Sequence, residues 1–297
     1  MTPELRIEGI SRRFGERLAL DEVSFTVPAG RLTGFIGGNG AGKTTTMRIV
    51  LGVLAAHGGR VRWQGADIDA LARRRFGYMP EERGLYPKMG VADQLVYLAR
   101  LHGLDPARAR RNVADLLERL GLAARAKEPL EKLSLGNQQR AQLAAALAHD
   151  PVALVLDEPF SGLDPGAVDD VAGVLRERAA TGVPVLFSSH QLDLVERLCD
   201  QLVIIAGGQI RASGDREQLR RAHAADQHLI VVDEDAGWLR ELPGVRLVSL
   251  DGPRAVVVLS DPSATQKLLR AALDRGPVHQ FTPVIPTLTE IFRKVSQ

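Results

Sequence analysis

The feature that most limits what this chain can fold into is Gly37-Gly38-Asn39-Gly40-Ala41-Gly42-Lys43-Thr44, which satisfies the pattern G-x-x-x-x-G-K-[ST]. Glycines let successive backbone N–H groups turn inward around phosphate oxygens. Such a loop needs a strand to enter it and a helix to leave it, so that the helix N-terminus adds its positive dipole end. Both are legible: Arg31 to Ile36 reads as a strand and Thr44 to Leu54 as a helix. In that setting Lys43 reaches the β- and γ-phosphates of a nucleotide, and the Thr44 hydroxyl can ligate Mg²⁺.

A second element fits the first. Val152 to Leu156 is a continuous apolar run, as is Val183 to Phe187, and helical patterns separate them, so both read as buried parallel strands. The first run ends in Asp157-Glu158. Asp157 can deliver a carboxylate to Mg²⁺ beside the phosphate loop, and Glu158 can polarise an attacking water. These two elements alone mean a phosphate-loop nucleotidase. The base-recognition run Asn-Lys-x-Asp of GTPases is absent, because none of Asn39, Asn112 and Asn137 precedes lysine.

Around this core the patterning changes. Leu5 and Ile7, then Val23, Phe25 and Val27, alternate with a period of two and predict half-buried antiparallel strands. Residues 105 to 121 predict a helix, with Asp105 as N-cap, Pro106 at the first position and Gly121 past the end. Val113, Leu116, Leu117 and Leu120 form its apolar face. Gln138 to His149 predicts a helix stopped by Asp150-Pro151, and Leu202 to Ala206 a strand. A length of 297 residues suits two domains, divided here as 1–224 and 225–297. In the second part, strands at His228–Val232, Arg246–Leu250, Ala255–Leu259 and Val278–Phe281 alternate with helices at Ala236–Leu242 and Ser263–Arg275. That order, β-α-β-β-α-β, is the split βαβ of ferredoxin-like domains. A last helix from Leu288 to Val295 sets Leu288, Ile291, Phe292 and Val295 on one side.

Charge and composition exclude other classes. With 38 basic and 36 acidic residues the net charge is +2, which argues against a dedicated nucleic-acid partner. The single Cys199 cannot form an internal disulfide, so a reducing compartment is expected. No apolar run approaches the roughly 20 residues of a membrane span, and Met1-Thr2-Pro3-Glu4 does not open a signal peptide. A cytoplasmic chain that meets the membrane only through a partner is the expectation.

The segment Leu133-Ser134-Leu135-Gly136-Asn137-Gln138-Gln139-Arg140 resembles the signature of ABC ATPases, commonly Leu-Ser-Gly-Gly-Gln. Ser161-Gly162-Leu163-Asp164 resembles that family's D-loop, and His190 its switch histidine. Phe14 sits where the family stacks an aromatic ring on adenine, and Gly77-Tyr78-Met79-Pro80-Glu81 occupies the Q-loop position. The resemblance covers about residues 3 to 220, with the motifs in the family's order. Three positions depart from the pattern: Leu135 replaces a glycine, Asn137 a glutamine, and Glu81 the Q-loop glutamine. The run Tyr78 to Pro87 and the end Leu288-Thr289-Glu290-Ile291-Phe292 resemble a subgroup of export ATPases related to sodium-extrusion and drug-resistance systems.

The resemblance implies an α/β phosphate-loop ATPase domain, built of a mixed sheet, an antiparallel β subdomain and a helical subdomain, followed by the small α+β domain. It implies a head-to-tail sandwich of two such chains, or of this chain and a second ABC ATPase, working on membrane-spanning permease subunits. Gly37, Asn39, Gly40, Ala41, Gly42, Lys43, Thr44, Thr45 and Phe14 would bind ATP in cis, and Ser134, Gly136 and Asn137 would bind the ATP of the other subunit. Thr44, Asp157 and Glu81 would face Mg²⁺. Glu158 would activate water, His190 would contact the γ-phosphate, and Asp164 would communicate across the dimer. Soluble relatives in translation carry two cassettes per chain and those in repair carry long coiled coils; this chain has neither. A small-ligand sensor in the C-terminal part is an alternative to a dimer-supporting one.

Overall fold

A computed structural model describes residues 4–222, 227–260 and 262–295. Its contacts divide it into two compact units, one from Met1 to Arg216 with Val295–Gln297, the other from Glu217 to Lys294. The boundary read from sequence between 224 and 225 falls in 223–226, outside the described residues.

In chain order the first unit contains β1 (Leu5–Phe14), β2 (Arg17–Val27), β3 (Leu32–Ile36), α1 (Lys43–Val50), β4 (Gly58–Trp63), β5 (Ala66–Asp67), α2 (Ala70–Arg73), β6 (Phe76–Met79), α3 (Val91–Leu101), α4 (Pro106–Arg119), α5 (Leu135–Leu147), β7 (Ala153–Leu156), α6 (Pro165–Ala180), β8 (Val185–Ser189), α7 (Leu192–Leu198), β9 (Gln201–Ala206) and β10 (Gln209–Asp215). Two sheets form. The antiparallel one has the order β2-β1-β4-β5. The other runs β10-β9-β3-β8-β7-β6, parallel from β9 to β6 with β10 antiparallel at its edge. The apolar runs thus form parallel strands buried on both faces: every residue of β3, β7 and β8 is buried.

One core joins the sheets, with Ile7, Leu20 and Val23 from the antiparallel sheet and Phe35, Val155 and Leu186 from the parallel one. Phe25 packs on Phe35 with ring centroids 5.1 Å apart. The chain from α3 to α5 adds a helical layer. Asp105 caps α4 by accepting from the Ala107 and Arg108 amides, and Val113, Leu116, Leu117 and Leu120 are buried on its inner face.

Several element ends differ from those read in the sequence. α1 stops at Val50 rather than Leu54, because the Val53 and Leu54 amides both turn back to the Arg48 carbonyl. α5 starts at Leu135 rather than Gln138, because Ser134 caps it three residues earlier. Asp150 adopts φ +55, a left-handed geometry that ends the helical path ahead of Pro151.

The second unit holds most of α8 (Arg216–Ala222), then β11 (Gln227–Val232), β12 (Val245–Asp251), β13 (Arg254–Leu259), α9 (Pro262–Leu273), β14 (Val278–Pro283) and α10 (Leu288–Val295). Its sheet order β12-β13-β11-β14 is antiparallel throughout, which is the split βαβ arrangement. The first crossover, expected as a helix, is only a 3₁₀ segment, Ala236–Glu241. Leu268 and Ile230 are fully buried in its core. Leu288 and Ile291 of α10 are buried too. Among the described residues no helix is long and apolar enough to cross a membrane.

Candidate functional site

The parallel order β3-β8-β7-β6 sets the carboxyl ends of four strands side by side, where open α/β sheets place their ligands. Each strand hands a motif to that edge. β3 runs into the glycine loop, β7 into Asp157-Glu158, β8 into His190 and β6 into Pro80-Glu81. A cavity of about 880 Å³ opens there.

The loop's geometry follows from its glycines. Gly42 is the N-cap of α1 at φ 113 and supplies no side-chain cap, so the first-turn N–H groups stay available. A Cβ on Gly42 would come 2.5 Å from Leu20 Cδ2 and one on Gly37 2.6 Å from the Ile205 carbonyl, so both positions require glycine. Lys43 is 9% exposed, and its ammonium donates to the Gly37 carbonyl at 2.7 Å and the Gly38 carbonyl at 3.4 Å.

Asp157 is 1% exposed and deeply fixed. Its amide donates to the Met79 carbonyl at 2.8 Å, and its Oδ1 accepts from the Ser188 hydroxyl at 2.5 Å. Its Oδ2 is buried with no hydrogen-bond partner in the protein. Glu158 has φ +51, a left-handed backbone rare for a residue with a side chain. Three bonds hold it there: its amide donates to Ser188 Oγ at 2.8 Å, and its carbonyl accepts from Gln139 Nε2 at 2.9 Å and from the Ser161 amide at 3.1 Å. Glu158 Oε2 stands 3.0 Å from His190 Nδ1. Nearby, burial and the Asp157 charge push the Tyr78 phenol above its ordinary pKa of 10.0, against a hydrogen bond from Arg48.

The cavity wall contains Phe14, Asn39, Gly40, Ala41, Gly42, Lys43, Thr44, Thr45, Glu81, Asp157, Glu158 and His190 of the residues singled out in the sequence. Gly37 lies behind the wall, as a carbonyl acceptor for Lys43. Phe14 is 48% exposed, with the Arg12 guanidinium 5.0 Å over one ring face. Ser134, Gly136 and Asn137 are not part of this wall. Ser134 Oγ accepts from the Asn137 amide at 3.4 Å as the cap of α5, and Gly136 packs close to the Gly162 carbonyl. Asp164 likewise caps α6, accepting from the Ala167 amide at 2.9 Å.

Two wall residues carry no sequence signal, Arg17 and Ala19; Gly38 belongs to the glycine loop itself. Arg17 Nη2 donates to the Gly40 carbonyl at 3.4 Å, across a separation that no local pattern reveals. Ser188 and Gln139 were missed as supports for Asp157 and Glu158. The only signal was their place in or beside motifs: Ser188 precedes His190 by two residues, and Gln139 is the last but one residue of the signature run.

The ABC transporter family model matches residues 20–161, and the model described as ATP-binding protein DrrA1-3-like, C-terminal domain, matches residues 214–296. The chain is 35% identical to the uncharacterized ABC transporter ATP-binding protein YhaQ of Bacillus subtilis, over 97% of this chain and 97% of the other. It is 35% identical to Nod factor export ATP-binding protein I of Ralstonia nicotianae, over 91% of this chain and 86% of the other. A solved ATP binding subunit of an ABC transporter superposes with a TM-score of 0.68 at 32% identity, covering 73% of this chain and 92% of that one. The fold and site thus define a phosphate-loop ATPase. The chain belongs to the ABC transporter ATP-binding proteins, the subunits that hydrolyse ATP to energise transport through separate membrane-spanning subunits.

Proposed function

We propose that this chain powers export as half of an ATP-closed sandwich, from the cytoplasmic face of the membrane. The observation that carries the reading is the cluster of Lys43, Asp157, Glu158 and His190 on one cavity, with Ser134-Leu135-Gly136 outside it and half-buried or exposed. A hydroxyl that accepts a cap bond still has its own proton to donate, so Ser134 can serve the γ-phosphate of a facing subunit. The head-to-tail partner is a second copy or a second ATPase of the same kind. Export as the direction draws on the Nod factor export relative. Residues 1–224 form the nucleotide-binding part and 225–297 an accessory part that supports pairing or regulation.

Within the site, Phe14 offers adenine the ring face that Arg12 leaves uncovered. Lys43 and the loop amides bind the phosphates, with Asn39, Thr44 and Thr45 around them. Mg²⁺, when bound, neutralises phosphate charge and orients the γ-phosphoryl group. Asp157 Oδ2, buried and without a partner, fits the acceptor such an ion needs. The Thr44 hydroxyl and Glu81 complete a sparse set of ligands. Sparse suits Mg²⁺, which takes one or two carboxylates and keeps phosphates and waters for the rest. Glu158 takes a proton from the attacking water, and its strained backbone aims it into the cavity. His190, 3.0 Å from Glu158, orients that carboxylate and contacts the γ-phosphate. Loss of the γ-phosphate removes the bridge between subunits, so the sandwich opens and drives the permease.

Mixing two dead variants tests the composite site. Ser134→Arg blocks the signature face and Lys43→Ala empties the phosphate loop. A mixed dimer concentrates both lesions in one site and leaves the other intact, so ATPase activity partly returns. Mixtures as inactive as either variant alone refute the sandwich.

A further inference from the structure

Residues 80–90 connect β6 to α3 without regular secondary structure. Glu81, near the start of this loop, lines the nucleotide cavity, and Tyr86, in its middle, is exposed. Two buried glutamines tie the loop down. Gln142 of α5, 4% exposed, donates from Nε2 to the Pro80 carbonyl at 2.6 Å and to the Glu82 carbonyl at 3.1 Å. Gln94 of α3, fully buried, accepts from the Tyr86 amide at 3.1 Å and donates to the Met89 carbonyl at 3.3 Å. A carboxamide nitrogen has two N–H groups, so Gln142 commits one to each side of Glu81.

We propose that Gln142 is the positioning residue for Glu81. By gripping the carbonyls on both sides, it fixes where that carboxylate stands in the cavity. The proposal rests on the reading of Glu81 as a group that faces Mg²⁺. A carboxylate brought towards a triphosphate is repelled unless a cation stands between them, so its placement must be exact to help. Backbone bonds from the Leu130 and Glu131 amides to the Met89 and Pro87 carbonyls hold the far end of the loop, and the two Gln142 bonds supply the restraint on the Glu81 side. The same helix, capped by Ser134, reaches the Glu158 carbonyl through Gln139, so α5 braces two of the cavity's three acids from behind: Glu158 at its own carbonyl and Glu81 through its neighbours. A buried amide that lost these carbonyls would leave polar groups unpaired, which keeps the grip closed.

Two readouts on the purified full chain test this, with wild type, Glu81→Ala, Gln142→Met and the double variant. The first is the Mg²⁺ concentration for half-maximal ATPase activity at saturating ATP. Glu81→Ala and Gln142→Met are each expected to raise it about threefold to tenfold, and the double variant no further. The second is tryptic cleavage after Arg83 and Lys88, both exposed on the loop. Cleavage quickens in Gln142→Met and keeps the wild-type rate in Glu81→Ala. If Glu81→Ala leaves the Mg²⁺ requirement unchanged, the reading of Glu81 falls and the proposal with it. If Glu81→Ala shifts it while Gln142→Met does not, or if the two shifts add, the grip alone is overturned. Unchanged cleavage in Gln142→Met overturns it as well. Should Gln142→Met fail to fold, Gln142→Glu keeps the size and presents an acceptor to the two carbonyls. The same shift is then expected, and a wild-type Mg²⁺ profile overturns the proposal.

Discussion

The interiors of the two units are built from different chemistry. Among the described residues every buried polar or charged side chain lies between Thr33 and Ser189, in the first unit. The second unit buries Ile230, Leu239, Val257, Leu268 and their neighbours, all apolar. Burying a polar group costs free energy unless its bonds are remade. In the first unit they largely are, and to a purpose: Ser188, Gln139 and Gln142 spend their bonds on Asp157, Glu158 and the loop of Glu81. Among its described residues the second unit buries no such polar supports, and its core is free to be a plain packing problem. The difference locates the chemistry without reference to any motif.

Three measurements press on this contrast. The largest effect is expected for Glu158→Gln, where hydrolysis falls about 10²–10⁴-fold while ATP still binds. Single-turnover assays read the loss, and size-exclusion chromatography with ATP reads the dimer that accumulates. Wild-type turnover would mean that the polar interior of the first unit does not serve catalysis. Next, Leu268→Ala opens a cavity in the apolar core and should cost roughly 2–5 kcal/mol in the second unit. Denaturant unfolding measures that loss, and ATP affinity should stay at the wild-type value. A change in affinity would show that the two interiors do not divide their duties.

The smallest effect concerns pH. Burial first, and the positive potential of stacked His102 second, lower the His149 pKa from 6.5 to about 4. A histidine depressed in the folded state stays neutral there while the unfolded chain takes up the proton. Stability is therefore full above about pH 6.5 and falls as pH drops towards 4, by no more than about 3 kcal/mol. Comparing unfolding at pH 7.5 and pH 5 in wild type and His149→Gln checks this. The variant should lose less between the two conditions, and an equal loss would assign the pH sensitivity to other groups.

The sequence alone determined the parts that depend on neighbours along the chain. The glycine loop between a strand and a helix, the apolar runs of β7 and β8, the cap at Asp105 and the face of α4 are all local patterns, and the structure contains each of them. The split βαβ order of the second unit was legible for the same reason, except that its first crossover tightened to a 3₁₀ segment. Tertiary structure decided what depends on distant pairs. It brought Arg17 to Gly40 and His190 to Glu158. It turned Glu158 to a positive φ and braced it from Ser188 and Gln139, 30 and 19 residues away. It carried Gln142 to Pro80 across 62 residues. Periodicity and propensity act over a turn of helix or a few strand residues. Which polar groups meet at the end of a sheet is set by strand order, and strand order is settled only when the whole core packs.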